Sequence, residues 1–245
     1  MPKSGGFPAR DVLLVLVIGL LAGILIGVSF QLRPEKAGAR ATDGYTVDLA
    51  VPAVDSHGKG VATDLSVETR KGSGRTLANI DVLLFWVDTQ QSIQTARSTA
   101  ESITGIDTRP IDLIYSVNAK NVSLIGGPSA GAALTIATIA ALEGKQPAHG
   151  VMITGTIEDG GAIGGVGGVY EKAAAAKQAG ILTFLVPLNE SKEAFTDPVE
   201  NCTKDSGYVY CEKTYKTRIV DIGKDLGINV IEVADIRAAL PYFFA

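Results

Sequence analysis

Ser129 and Lys172 are the two side chains of this 245-residue chain whose types and neighbourhoods best suit covalent chemistry. Ser129 lies in Gly127-Pro-Ser-Ala-Gly131, directly before the apolar run Ala132–Leu142. At a helix start a serine meets free N–H groups and the positive end of the helix dipole, which suit a nucleophile and the oxyanion it creates. The backbone around Gly127, Ser129 and Ala130 supplies candidate oxyanion donors, and the small residues leave room for a substrate chain. Ser, Pro and Gly are also ordinary helix-start residues, so capping is the competing reading. A serine nucleophile needs a base. His57 and His149 are isolated and read as surface loop residues, which leaves lysine. A free lysine, with a pKa of about 10.4, is only about 0.04% neutral at pH 7, but burial lowers that pKa by several units. Lys172 follows the glycine-rich stretch Gly160–Gly168 and opens onto Ala173–Ala176, small neighbours that let its side chain lie against packed backbone. A solvated helix lysine beside Glu171 is the plainer alternative.

Other chemistries fit poorly. No Gly-Lys-Ser/Thr follows the glycine-rich stretch, and a dinucleotide pattern begun at Gly165 and Gly167 ends on Tyr170 instead of glycine, so no nucleotide or other cofactor is expected. Gly-x-Ser-x-Gly is absent, because Pro128 and Gly127 precede Ser129. Cys202 and Cys211 have no histidine beside them, and no metal site is expected. The net charge of −4 and the lack of a basic run argue against nucleic acid.

The elements that must carry these residues alternate between strands and helices after an opening hairpin, an α/β (α+β) pattern. Strands are expected over 45–51 and 60–70, with the turn Lys71–Gly74 folding the next strand, 80–87, back as a hairpin partner. Val82–Val87 reads as a strand buried on both faces. A helix over 90–104 is capped by Asp88 or Thr89 and shows apolar residues at Ile93, Ala96, Ala100 and Ile103. A strand over 111–117 and an apolar stretch over 122–125 lead to the serine motif and its helix. Beyond that come a strand at 151–154, a helix at 171–179 and a strand at 181–187. Residues 188–213 read as a polar excursion, followed by a short helix at 219–226, a strand at 228–233 and a last helix at 235–244 interrupted near Pro241.

Residues 12–30 carry no charge, and as a helix they would span roughly 28 Å, one bilayer core. They read as a transmembrane anchor or a signal segment behind the tail 1–11, with 31–43 a linker and 44–245 the globular domain. The apolar run is longer than a usual signal core. Ala37-Gly-Ala39 nevertheless has the form of a cleavage site, so cleavage after Ala39 would give a secreted protein. The flanking positive charges do not decide orientation. A Cys202–Cys211 disulfide would fit an oxidising compartment, with free thiols the alternative. Three of the six asparagines, Asn121, Asn189 and Asn201, head Asn-x-Ser/Thr sequons, where chance gives about one. The domain is therefore expected outside the cytoplasm on a single-pass anchor.

Gly127-Pro-Ser-Ala-Gly131, Ile153-Thr-Gly155, Gly167-Gly-Val-Tyr-Glu-Lys172, Ala179-Gly-Ile181 and Leu185-Val-Pro187, in that order, resemble the proteolytic domain of Lon proteases. The resemblance is strong over 110–187 and weaker over 45–244, and Lys172 follows Ser129 by the family's interval. It implies a Ser129–Lys172 dyad cleaving polypeptides, Thr154 holding the lysine amine, and a homo-oligomeric, hexameric ring. The small architecture suggests an archaeal type. The chain departs from the family pattern in two places. Gly126 and Gly127 stand where an acidic residue usually precedes the serine motif, and Thr156 replaces the glutamate after Thr-Gly. The expected activity is ATP-independent, since no ATPase motif is present. A non-catalytic binding module at the membrane and a subunit serving a separate ATPase are the alternatives.

Overall fold

The computed structural model describes residues 43–79, 87–118 and 127–244, all within one compact unit, Ala39–Ala245. The apolar segment 12–30, its tail and all but the last residue of its linker lie outside the described residues. So do Asn121, the stretch 122–125, and the strand expected over 80–87 apart from Val87, which begins a helix. Among the described residues no helix is long and apolar enough to cross a membrane.

Two sheets carry the domain. In the first, β1 (Thr46–Val54) pairs antiparallel with β2 (Gly60–Lys71), and β2 with β4 (Ile111–Asn118). Alternation turns Val47, Leu49 and Val51 of β1 and Leu65 and Val67 of β2 into the core. The Lys71–Gly74 turn does not make a hairpin. Asp112 accepts hydrogen bonds from the Ser73 and Arg75 N–H groups and from the Arg75 guanidinium, which draws the chain past the edge of β2. β3 (Thr76–Asn79) therefore pairs parallel with β4, giving the order β1-β2-β4-β3.

Helix α1 (Val87–Thr104) buries Ile93, Ala96 and Ala100 at helical spacing. It packs beside α2 (Gly131–Glu143), in which every residue from Gly131 to Leu142 is buried. An apolar helix of this kind has no face to give to water. Its two threonine hydroxyls are satisfied by the carbonyls one turn back, Gly131 for Thr135 and Leu134 for Thr138. Left-handed Gly144 ends it.

The second sheet is parallel, with β5 (Val151–Ile153) and β11 (Asn229–Val233) flanking β8 (Thr183–Pro187). The ribbon β6 (Thr156–Ile157) and β7 (Ile163–Gly164) follows β5, and helix α3 (Val169–Gln178) crosses over to β8. Met152, Phe184 and Val186 pack with Val169, Ala173 and Ala176 of α3 in a second core.

The expected polar excursion is instead a long hairpin, β9 (Lys192–Asp205) with β10 (Tyr208–Asp221). Ile219, expected in a helix, pairs with Ala194 in this ribbon, and the helix α4 is confined to Ile222–Leu226. The polar composition reflects exposure on both faces. Cys202 and Cys211 stand opposite each other near the tip and form a disulfide. The hairpin's root is fixed to α3: Glu193 accepts the Tyr170 N–H, and the Tyr170 and Phe195 rings meet edge to face. Helix α5 (Ile236–Phe243) runs through Pro241 without interruption.

Candidate active site

The serine motif folds by tight local rules. Gly127 sits at φ +102°, a conformation that disfavours any side chain, and turns the chain into the 3₁₀ turn Pro128–Ala130. Gly131 opens α2 against β6, where an added Cβ would lie 2.6 Å from both the N and Cγ2 of Ile157. The end of β5 then clamps the motif. The Gly155 N–H donates to the Ser129 carbonyl, and the Ala132 N–H to the Gly155 carbonyl, each at 3.0 Å. Thr154, fully buried, adds its hydroxyl to the same Ser129 carbonyl at 3.4 Å. Thr154 thus holds the serine's backbone; no hydrogen bond joins it to Lys172, the role the resemblance implied. Ser129 and Ala130 occupy the first turn, where N–H groups lack helical partners, and Gly127 directs its carbonyl to the Thr89 hydroxyl.

Lys172 comes from the other wall. Left-handed Gly168 begins α3, and the lysine lies on its inner face between Val169 and Ala173, only 4% exposed. Burial pushes its ammonium down to about 8; the carboxylates of Glu190, then Glu171 and Glu193, oppose that shift. Ser129 and Lys172 line one cleft of about 360 Å³, together with Val54, Thr156 and the glycine loop Gly165–Gly167. Among the described residues neither the Ser129 hydroxyl nor the Lys172 ammonium has a hydrogen-bond or ion-pair partner. Ser129 therefore does not serve as a cap, and both groups open into the cleft. An adjoining recess beside Ser129 is apolar, walled by Val51, Leu65 and Leu134 among others.

Glu190, Val166 and Val54 are site residues that sequence reasoning passed over. Glu190 had one accessible signal: it follows the carboxyl end of a parallel strand, the edge where open α/β sheets place their sites. Cys202 and Cys211 lie out on the hairpin, bonded to each other, so the Glu200-Cys202-Cys211 cluster has no free thiols to offer a metal.

An α/β domain that sets a helix-start serine across a cleft from a buried lysine has the parts of a serine hydrolase. Residues 122–216 match the family model of the Lon protease (S16) C-terminal proteolytic domain. The Lon protease of Clostridium acetobutylicum is 39% identical over 67 residues, 27% of this chain and 9% of that protein. The Lon protease of Chloroflexus aggregans is 42% identical over 66 residues, again 27% of this chain and 8% of that protein. The archaeal Lon protease of Archaeoglobus fulgidus is 23% identical over 228 residues, 88% of this chain and 30% of that protein. Over residues 122–216 the chain is thus similar to Lon-type proteolytic domains, and it spans less than a third of the length of these relatives.

Proposed function

We propose that this chain is a serine endopeptidase that cleaves peptides and unfolded protein segments with a Ser129–Lys172 dyad. The observation that carries the reading is the buried lysine on the wall of the cleft that Ser129 enters. With a pKa of about 8, a tenth or so of Lys172 is neutral at pH 7, against about 0.03% for an unperturbed lysine at 10.5. Neutral Nζ takes the hydroxyl proton as Ser129 Oγ bonds to the peptide carbonyl carbon. The resulting oxyanion meets N–H groups of the 127–130 turn. The ammonium returns its proton to the amine nitrogen as the C–N bond breaks, and water repeats the sequence on the acyl-enzyme. The apolar recess beside Ser129 suits an apolar substrate side chain. None of these steps consumes a nucleotide, so cleavage of an unstructured substrate proceeds without ATP.

Segment 12–30 acts as the membrane anchor in this reading, and the disulfide supports placement of the domain outside the cytoplasm, where thiols oxidise. That placement also argues against service to a cytoplasmic ATPase. Assembly into a homo-oligomeric ring belongs to the same proposal, with a hexameric mass in sedimentation as its check. The central test is cleavage of casein and of a fluorogenic peptide, without ATP, by wild type and by Ser129→Ala and Lys172→Ala separately. Each variant is expected to lose at least a hundredfold in kcat/KM. Wild-type turnover in either one refutes its assigned role.

A further inference from the structure

Glu190 is held against the glycine loop of the cleft, and among the described residues one of its oxygens has no hydrogen-bond partner. The chain leaves β8 at Pro187, and left-handed Asn189 turns it back so that Glu190 lies beyond the strand's carboxyl end. Oε1 accepts the Val166 N–H at 3.0 Å, which pins the carboxylate to the glycine loop lining the cleft. Gly165 leaves space for that contact, since an added Cβ would lie 2.7 Å from Oε1. Oε2 is buried and accepts no hydrogen bond, the one such side-chain atom among the described residues. A buried carboxylate oxygen without a donor is costly and needs a compensating charge.

The charged groups around it identify that charge. Glu190 feels Lys172, Glu193 and Glu232, of which only the lysine is positive. Lys172 in turn feels Glu190 most strongly, then Glu171 of its own helix and Glu193 of β9. The other two acids near Glu190 are occupied. Glu193 accepts the Tyr170 N–H, and Glu232 accepts both the N–H and the hydroxyl of Ser191.

We propose that Glu190 is a positioning residue for Lys172: its unpartnered carboxylate oxygen keeps the lysine amine directed into the cleft and strengthens its hold on a proton. The proposal rests on the Ser–Lys reading and adds a second-wall acid to it. Glu190 touches no reacting atom. It stabilises the ammonium formed when Lys172 takes the Ser129 proton, and so makes the lysine a stronger base that is neutral in a smaller fraction of molecules.

Glu190→Gln preserves the Val166 hydrogen bond and removes the charge. The Lys172 titration midpoint, followed by NMR of ¹³C-lysine in the full chain and assigned with Lys172→Met, is expected to fall by about one unit. The acid limb of kcat/KM moves down by the same amount. The plateau above pH 9 drops roughly threefold, because a weaker base transfers protons less well. Wild type and variant therefore cross, which a merely structural defect does not produce. An unchanged or raised Lys172 midpoint in folded Glu190→Gln overturns the proposal. If that variant does not fold, the reciprocal measurement decides. Removal of the cation in Lys172→Met must raise the Glu190 carboxyl midpoint, and an unmoved midpoint overturns the coupling. Coupled midpoints in a chain that cleaves nothing would sink the peptidase reading and leave the coupling standing. Ser129-dependent cleavage with uncoupled midpoints would sink the Glu190 proposal alone.

Discussion

Lys172→Met should make the domain more stable while removing its chemistry. Methionine keeps the apolar stem that packs between Val169 and Ala173 and deletes the ammonium. Burial lowers Lys172 from 10.5 to about 8, so holding the charged lysine in the folded state at neutral pH costs about 3 kcal/mol. The sign of its pH dependence follows. Below pH 8 the lysine is charged in both folded and unfolded chains, and the whole penalty applies. Between about 8 and 10.4 the folded lysine has released its proton and the unfolded one has not, so wild-type stability rises with pH. The variant lacks this rise. Urea denaturation followed by far-UV circular dichroism at pH 7, 8.5 and 10 should show Lys172→Met ahead by about 1 to 3 kcal/mol at pH 7, the lead narrowing as pH rises. Peptide cleavage should be absent throughout. A variant less stable than wild type at pH 7, or a lead that grows with pH, would refute the argument that the lysine is held at a loss.

Two further perturbations probe the scaffold. Gly131→Ala forces a Cβ to within 2.6 Å of the Ile157 backbone, which cannot yield as a side chain would; a loss of about 1–3 kcal/mol in stability is expected, with kcat/KM down by about a hundredfold because Ser129 is displaced. Asp112→Asn weakens the clasp on Arg75 and should lower the melting temperature at neutral pH. Those hydrogen bonds hold the Asp112 carboxyl at about 2, so their contribution is present above the ordinary aspartate range and is lost as pH falls from there through 2. The variant's melting temperature should therefore fall less than wild type's across that acid range.

Periodicity revealed the elements whose burial it encodes. The alternation in β1, the three-to-four spacing in α1 and the unbroken apolar run of α2 each forecast a packed face that the structure shows. It was silent where packing does not decide. β9 and β10 are exposed along almost their whole length, so no hydrophobic alternation marked them, and their order comes from pairing with each other and a cross-strand disulfide. The route of the chain after Lys71 was hidden for a different reason. A glycine turn favours a hairpin locally, but the four donors gathered by Asp112 lie 37 or 39 residues away in sequence and send β3 to the far side of β4.

The site divides along the same line. Ser129 and Lys172 were legible because short glycine- and alanine-rich motifs surround them, and such motifs are needed wherever backbone must approach closely. Thr154 was legible as a position but not in the contact it makes: it sits one residue past β5, and its hydroxyl reaches the Ser129 carbonyl. Glu190 offered only its place after a parallel strand, because nothing near it in sequence explains a buried carboxylate. Its reason to exist lies 18 positions back, in a lysine on a different element, and 24 back, in the Val166 N–H. A polar residue that looks like loop solvent in sequence becomes informative only when its burial is known. Once an oxygen is seen to lack a donor, the positive charge that acts on it becomes the group to ask about. Here that charge is the base proposed for the reaction, so the groups that set its proton affinity come from three separate segments: Lys172 on α3, Glu190 after β8, and Glu193 at the root of the hairpin.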